Sequence, residues 1–434
     1  MGKATDNRQE LFYIEIKEIE LSELEKIMDD YKVAFLCGNG FSINFDKEFS
    51  TIYDRLYDAH KFLLDNIEFD VYPKSGKVSA VFKDNYKEFI RYIRRIDEFR
   101  FEKIFKDGII FADSIISNQE LLNNIDDKLN HLVFDKTQID LVKNIAEQGN
   151  EYGYKKVNIE YWPVLIYMYF IIKHKGLDSK FYTFPINNEF IKCIEKGRIN
   201  RNKILNEDYD IQYQISSGFN IYYRSLMCTA ILNGGKAINF EQLNNRFNKN
   251  NVVNFMNKFV AFMTLNYDSI LEHFTEKPIT HLHGRFVNNK EFVYFISLGI
   301  NLPENQYVSF SDILIGDYFV NKTFMSVVNS NKNRFKNIPN ISEKIYDVVK
   351  KNEIDIILIF GMNINNDQHI IRNLVSSLNS NKNAMIIYCY YLEDDKKDFE
   401  IEYNKCLADL DKKIIENIKV KFIRSDKIIE KYFY

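Results

Sequence analysis

Four short clusters hold the residues of this chain whose types and spacing suit chemistry. They are Gly38-Asn39-Gly40-Phe41-Ser42, Asn266-Tyr267-Asp268, His281-Leu282-His283-Gly284 and Gly361-Met362-Asn363-Ile364-Asn365-Asn366-Asp367. Gly-x-Gly lets bare backbone N–H groups approach a phosphate, because no Cβ intervenes and glycine tolerates positive φ. The same pattern also makes an ordinary tight turn. Asn266 and Asp268 suit either a helix cap or a polar site. His283 is a candidate proton acceptor, since imidazole titrates near neutral pH. Gly284 lets the backbone turn sharply behind it; a purely structural histidine is the competing reading. Asn363, Asn365 and Asp367 read as loop and cap residues or as ligand contacts.

Position unites the clusters. Val33–Cys37 is a short, wholly apolar run that predicts a buried strand, and Gly38 follows at once. Residues 259–264, 278–281 and 354–360 predict three more strands, each ending in one of the other clusters. Helical spacing predicts helices over 12–31 (Ile16, Ile19, Leu21, Leu24 and Ile27 near one face), about 50–65 with Ser50 or Thr51 as cap, 311–352, 368–378 and 398–417. A turn or two of helix is expected at 270–274. Further strands are expected at 292–296, 384–391 and, last, 418–423. Strands alternating with helices imply a parallel sheet covered on both faces, an α/β, Rossmann-like fold. In such sheets ligands bind beyond the carboxyl ends of the strands, where all four clusters fall.

Between about 75 and 250 the character changes. Long runs rich in Lys, Glu, Ile, Leu, Phe and Tyr carry helical spacing, as in 86–105, 118–132, 162–172 and 219–233, and strand-like runs are few. The division read from the sequence is 1–70 and 255–434 for two parts of one α/β domain, with a mostly helical insertion over 71–254. Its aromatic residues, Trp162 included, read as core.

Bulk composition bounds the function. The chain has 434 residues, 46% hydrophobic and 27% charged, enough for a sizeable core in a soluble globular protein. A net charge of −3 gives no support for broad nucleic-acid or membrane binding, and no direct nucleic-acid contact is expected. No apolar run reaches the roughly 18 residues of a membrane span. The polar start, Met1 to Glu10, lacks the core of a signal peptide, so a cytoplasmic location is expected. None of the five cysteines (Cys37, Cys193, Cys228, Cys389 and Cys406) shares a Cys-x-x-Cys spacing, which argues against a zinc ribbon or disulfide framework.

In this order the clusters resemble the sirtuin-like family. Sirtuins show Gly-Ala-Gly-x-Ser, Thr-Gln-Asn-x-Asp, His-Gly and Gly-Thr-Ser. This chain has Gly38-Asn39-Gly40-Phe41-Ser42, Thr264-Leu265-Asn266-Tyr267-Asp268, His283-Gly284 and Gly361-Met362-Asn363. It is more similar still to the divergent bacterial sirtuin-like NAD hydrolases of anti-phage defence, which carry Gly-Asn-Gly-Phe-Ser and Asn-Tyr-Asp variants. The resemblance covers about 30–65 and 255–434. Two departures stand out. The two Cys-x-x-Cys pairs of deacylating sirtuins are missing, so no zinc or other metal is expected. Ile43-Asn44-Phe45-Asp46-Lys47 stands where they carry an Ile-Pro-Asp-Phe-Arg type segment. Protein deacylation is thereby disfavoured.

The resemblance implies NAD+ as substrate and loss of nicotinamide through an oxocarbenium-like ribose, much as in glycoside hydrolysis. Gly38, Asn39, Gly40, Phe41, Ser42 and Asp46 would hold the dinucleotide, with the glycine-turn amides on phosphate. Asn266 would position the ribose or water, Asp268 would orient Asn266 or cap the local helix, and His283 would act as general base. Gly361, Asn363 and Asp367 would face the adenosine half. An NAD-depleting enzyme must stay silent until triggered. The insertion is the expected place for control, through a homo-oligomer or an accessory defence protein such as an ATPase or trigger sensor. A non-catalytic sensor of NAD or ADP-ribose is the alternative. A Rossmann oxidoreductase fits less well, because no third glycine completes Gly-x-Gly-x-x-Gly.

Overall fold

A computed structural model describes residues 16–65, 69–71, 76–125, 137–199, 218–237, 241, 243, 246–286, 298–302, 306–309, 341–379, 381–407 and 418–434. Its strands are β1 (Lys17–Glu18), β2 (Val33–Cys37), β3 (Phe69–Val71), β4 (Ala261–Thr264), β5 (Ile279–His281), β6 (Leu298–Leu302), β7 (Gln306–Ser309), β8 (Ile356–Phe360), β9 (Met385–Tyr390) and β10 (Lys419–Arg424). Seven form one sheet in the order β1-β10-β9-β8-β2-β4-β5, with every pairing parallel. This is the α/β, Rossmann-like architecture expected.

Strand pleating divides the apolar residues between two cores. On one face Val33, Phe35 and Cys37 join Leu358, Phe360, Ile387 and Cys389; on the other, Ala34 and Leu36 join Ile357, Ile359, Ile386 and Tyr388. This double burial explains why β2 and β8 are continuous apolar runs rather than alternating ones. The first core continues unbroken into the helices Glu98–Ile116, Gln138–Tyr152, Trp162–His174 and Gly218–Ile231. Trp162 is fully buried, and its indole N–H donates to the Tyr53 hydroxyl at 2.6 Å. β3 pairs antiparallel with β6, and β6 with β7, forming a small sheet that draws strands from both sides of the helical segment.

Several local expectations are corrected. The first helix begins at Leu21, not residue 12: Lys17 and Glu18 instead pair with β10, and the Ile19 N–H donates to Phe422 O at 2.8 Å. Ser50 and Thr51 are not caps. Lys47–Arg55 holds two 3-10 turns that meet at a kink at Thr51 (φ −120°, ψ 44°), and the hydroxyls of Ser50 and Thr51 donate back to the carbonyls of Lys47 and Glu48. The 86–105 run is broken: Asp97 caps a second helix by accepting from the Arg100 N–H. The helix expected at 398–417 begins at Glu393. A helix, Ser425–Tyr432, follows the strand expected to be last, and Tyr432 stacks on Phe255. Residues 292–296, 311–340 and 408–417 and part of 118–132 lie outside the described residues.

Candidate functional site

β2 is the topological switch point of the sheet. From it the chain steps one way to β4 and β5, and the other way to β8, β9 and β10. A crevice therefore opens beyond the carboxyl ends of β2 and β8, where α/β sheets bind ligands. Cys37 pairs with Phe360, which brings Gly38 and Gly361 to the same level. The two loops then touch backbone to backbone. The N–H of Gly38 donates to Phe360 O at 3.0 Å, that of Gly40 to Gly361 O at 2.8 Å, and that of Phe41 back to Gly38 O at 3.0 Å. These amides are spent on the fold, which corrects the expectation that they cradle phosphate. The glycines are required by contact between the loops instead. A Cβ on Gly40 would lie 2.6 Å from Gly361 Cα, and one on Gly361 would lie 2.6 Å from the Phe41 nitrogen. Gly361 also sits at φ +65°, where side chains are strained. Gly361→Ala is expected to cost at least about 1–3 kcal/mol from the backbone strain alone. Urea unfolding reads this directly, and a midpoint equal to wild type would refute the packed pair of loops.

Behind the glycine turn runs a buried polar chain. Asn266 Nδ2 donates to Gly38 O at 3.1 Å and to Ser42 Oγ at 2.8 Å, and Ser42 Oγ donates to Asp268 Oδ2 at 2.8 Å. Asp268 Oδ1 accepts from the Ile270 N–H at 2.9 Å. Asp268 is joined to Asn266 through Ser42, and its other oxygen holds a local turn at Ile270 without capping the Leu271–His273 helix. Burial pushes its carboxyl up to about 6, against the hydrogen bonds from Ile270 and Ser42. Asn266 Oδ1 is buried and has no hydrogen-bond partner. His281 is committed to structure: Nδ1 lies 3.1 Å from Asn266 O and Nε2 lies 2.9 Å from Glu272 Oε1.

The crevice holds a cavity of about 950 Å³, at the upper end of the roughly 300–1,000 Å³ usual for small-molecule sites. Gly38, Asn39, Gly40, Gly361, Asn363, Asp367 and His283 line it. Asn266, Phe41, Ser42, Asp268 and Asp46 do not. Phe41 is core, edge-on to Phe35, Phe274, Phe360 and Phe433. Asp46 was expected to hold substrate. Instead both its oxygens accept from the Arg55 guanidinium in a buried pair. Asp367, expected on the adenosine half, stands with Oδ1 3.6 Å from His283 Nε2. His283 Nε2 also lies 3.3 Å from His369 Nε2. Burial, reinforced by Lys344, pushes His283 down to about 3 despite the neighbouring carboxylate, so the ring is neutral at physiological pH.

The opposite wall comes from segments that carry no motif. Phe49–Asp54 and Lys155–Tyr161 line the cavity, as do Asn144 and Gln148. The insertion is therefore part of the site. Tyr267, the middle residue of the Asn-Tyr-Asp cluster, donates its hydroxyl to Glu160 Oε1 across the cavity's edge. Burial pushes Glu160 up to about 7, against the hydrogen bonds from Tyr267 and Asn158. Glu160 thus keeps a proton that the unfolded chain releases above about 4.5, so wild type loses stability as pH rises from about 4.5 through 7. The full loss is on the order of 3 kcal/mol. Glu160→Gln should remove it, so the variant gains on wild type between pH 5 and pH 8 in urea titrations. Parallel pH profiles would place Glu160 in water instead.

Sequence reasoning missed Glu160 and His369. His369 was within reach, since Asp367-Gln368-His369 puts two ligating residues at the start of the Gln368–Leu378 helix. Nothing in the sequence pointed to Glu160. Compared with family models, curated proteins and solved structures, the chain matches none. Among the described residues, no helix is long and apolar enough to cross a membrane.

Proposed function

We propose that this chain is a sirtuin-like NAD+ glycohydrolase, releasing nicotinamide and ADP-ribose as an NAD-depleting effector of bacterial anti-phage defence. The observation that carries the reading is the single cavity at the sheet's switch point, lined by residues of all four clusters, with His283 in its wall. The nicotinamide of NAD+ is cationic and leaves neutral when its ring nitrogen takes the electron pair of the breaking C1′–N bond, so no acid need protonate it. Water then adds to C1′ of the oxocarbenium-like ribose and gives up a proton, for which neutral His283 is the acceptor.

Asn266 acts from behind the wall. It fixes the Gly38 carbonyl and Ser42, and its buried Oδ1 is an acceptor that a water would satisfy. With the Gly38, Gly40 and Phe41 amides spent, Lys155, Lys156 and Asn363 in the cavity lining are the groups for the pyrophosphate. The test is NAD+ turnover by the purified chain, with nicotinamide and ADP-ribose quantified, beside Asn266→Ala and His283→Ala. Absence of both turnover and NAD+ binding would overturn the reading. A second reading, a sensor that binds NAD or ADP-ribose without turnover, is favoured by two facts. His283 is a weak base and Asn266 does not line the cavity. Calorimetric binding without products, unchanged in kind by His283→Ala, would support it. Control by self-assembly is tested by size exclusion at two concentrations. A monomer with full activity at both would exclude it.

A further inference from the structure

We propose that His283, His369 and Asp367 form a three-ligand site for a divalent ion of the zinc class, opening into the cavity. Geometry carries this. One ligating atom from each residue lies within 4.8 Å of the other two. His283 Nε2 is 3.3 Å from His369 Nε2 and 3.6 Å from Asp367 Oδ1. A tetrahedral ion with bonds of about 2.0–2.2 Å sets neighbouring ligand atoms roughly 3.3–3.6 Å apart, the spacing at which two of the three pairs already stand. The ring planes lie within 20° of one another with centroids 5.4 Å apart, so the rings meet through their Nε2 corners rather than face on face.

The donor set is also right. Two imidazoles and one carboxylate suit zinc, cobalt or nickel better than calcium or magnesium, which prefer oxygen alone. Three protein ligands leave a fourth position open, and all three residues line the 950 Å³ cavity, so that position faces a bound molecule or water. The ligands come from two firm elements. His283 follows β5, while Asp367 and His369 begin the helix Gln368–Leu378, which packs its apolar face into the second core.

The ion would use the lone pair on His283 that takes a proton in the proposed hydrolysis. Occupancy and turnover then exclude each other, a consequence that rests on the hydrolase reading.

Cobalt(II) tests the site without turnover. The full chain, stripped with chelator and dialysed, is titrated with cobalt and followed by visible absorption. Wild type is expected to develop the d–d band of a low-coordinate ion, saturating at one equivalent and removed by zinc. His369→Ala and Asp367→Asn, with unchanged circular dichroism, are expected to lose it. No band in wild type, or a band kept by both variants, overturns the site and leaves the two rings joined by a simple N–H···N bond. Turnover is then measured in chelator and with one equivalent of zinc. Turnover in chelator that stops with zinc supports the exclusion, and turnover that zinc leaves unchanged refutes it. No turnover in chelator counts against the hydrolase reading while the absorption result still stands.

Discussion

His283→Ala is expected to lower NAD+ turnover by about 10²–10⁴-fold, the usual contribution of a positioned proton acceptor. The loss should fall on kcat more than on KM, because in the proposed hydrolysis the ring acts on the attacking water rather than on the bulk of the dinucleotide. The fold should survive, since the ring lines a cavity instead of filling a core. The pH dependence is a sharper mark. Burial holds the ring neutral down to about pH 3, so the accepting form persists as pH falls from 7 to 5. The wild-type rate should therefore not trace a histidine titration near 6.5. A rate that did so, and lost that limb in His283→Gln, would mean the ring is solvated in the working enzyme. A variant with full turnover would remove His283 from the chemistry altogether. Asn266→Ala is expected to lose turnover by another route, since it frees the Gly38 carbonyl and leaves the Ser42–Asp268 bond without its brace.

Asp46→Ala is expected to destabilise the protein by about 3–5 kcal/mol, the usual result of removing one member of a buried ion pair. The Asp46 and Arg55 side chains are only 4% and 9% exposed. Arg55 Nη1 donates to Asp46 Oδ2 at 2.8 Å and also reaches the Ala230 carbonyl at 3.4 Å, tying the 3-10 run to the Gly218–Ile231 helix. Without the carboxylate the buried guanidinium keeps only the longer contact to the exposed Glu48 at 3.7 Å. Denaturant unfolding gives the size of the effect, and Asp46→Leu combined with Arg55→Met should recover much of it. KM for NAD+, measured where the variant is still folded, should stay within a few-fold of wild type. A large rise in KM with stability unchanged would return Asp46 to the substrate.

The sequence by itself determined the sheet and where its ligand edge lies. Val33–Cys37 and Ile356–Phe360 are too apolar for anything but strands buried on both faces, and a cluster follows each directly. Those signals are local, so a window of ten residues carries them. The same locality made Gly38-Asn39-Gly40 look like a phosphate cradle. The Gly38 and Gly40 N–H groups are instead satisfied by the carbonyls of Phe360 and Gly361, more than three hundred residues away, and no local pattern records a partner at that distance. Asp46 resembled a substrate contact until Arg55 was placed beside it, and only the meeting of β5 with the Gln368–Leu378 helix brought Asp367, expected on the adenosine half, to His283. Helical spacing showed the insertion to be helical, but spacing reports only which side of a helix is buried. That Glu160 faces Tyr267 over the cavity, and titrates near neutrality there, is set by how that segment packs on the sheet. Tertiary structure alone decided which groups share the cavity, because burial, pKa and ligand geometry depend on through-space neighbours that sequence order does not encode.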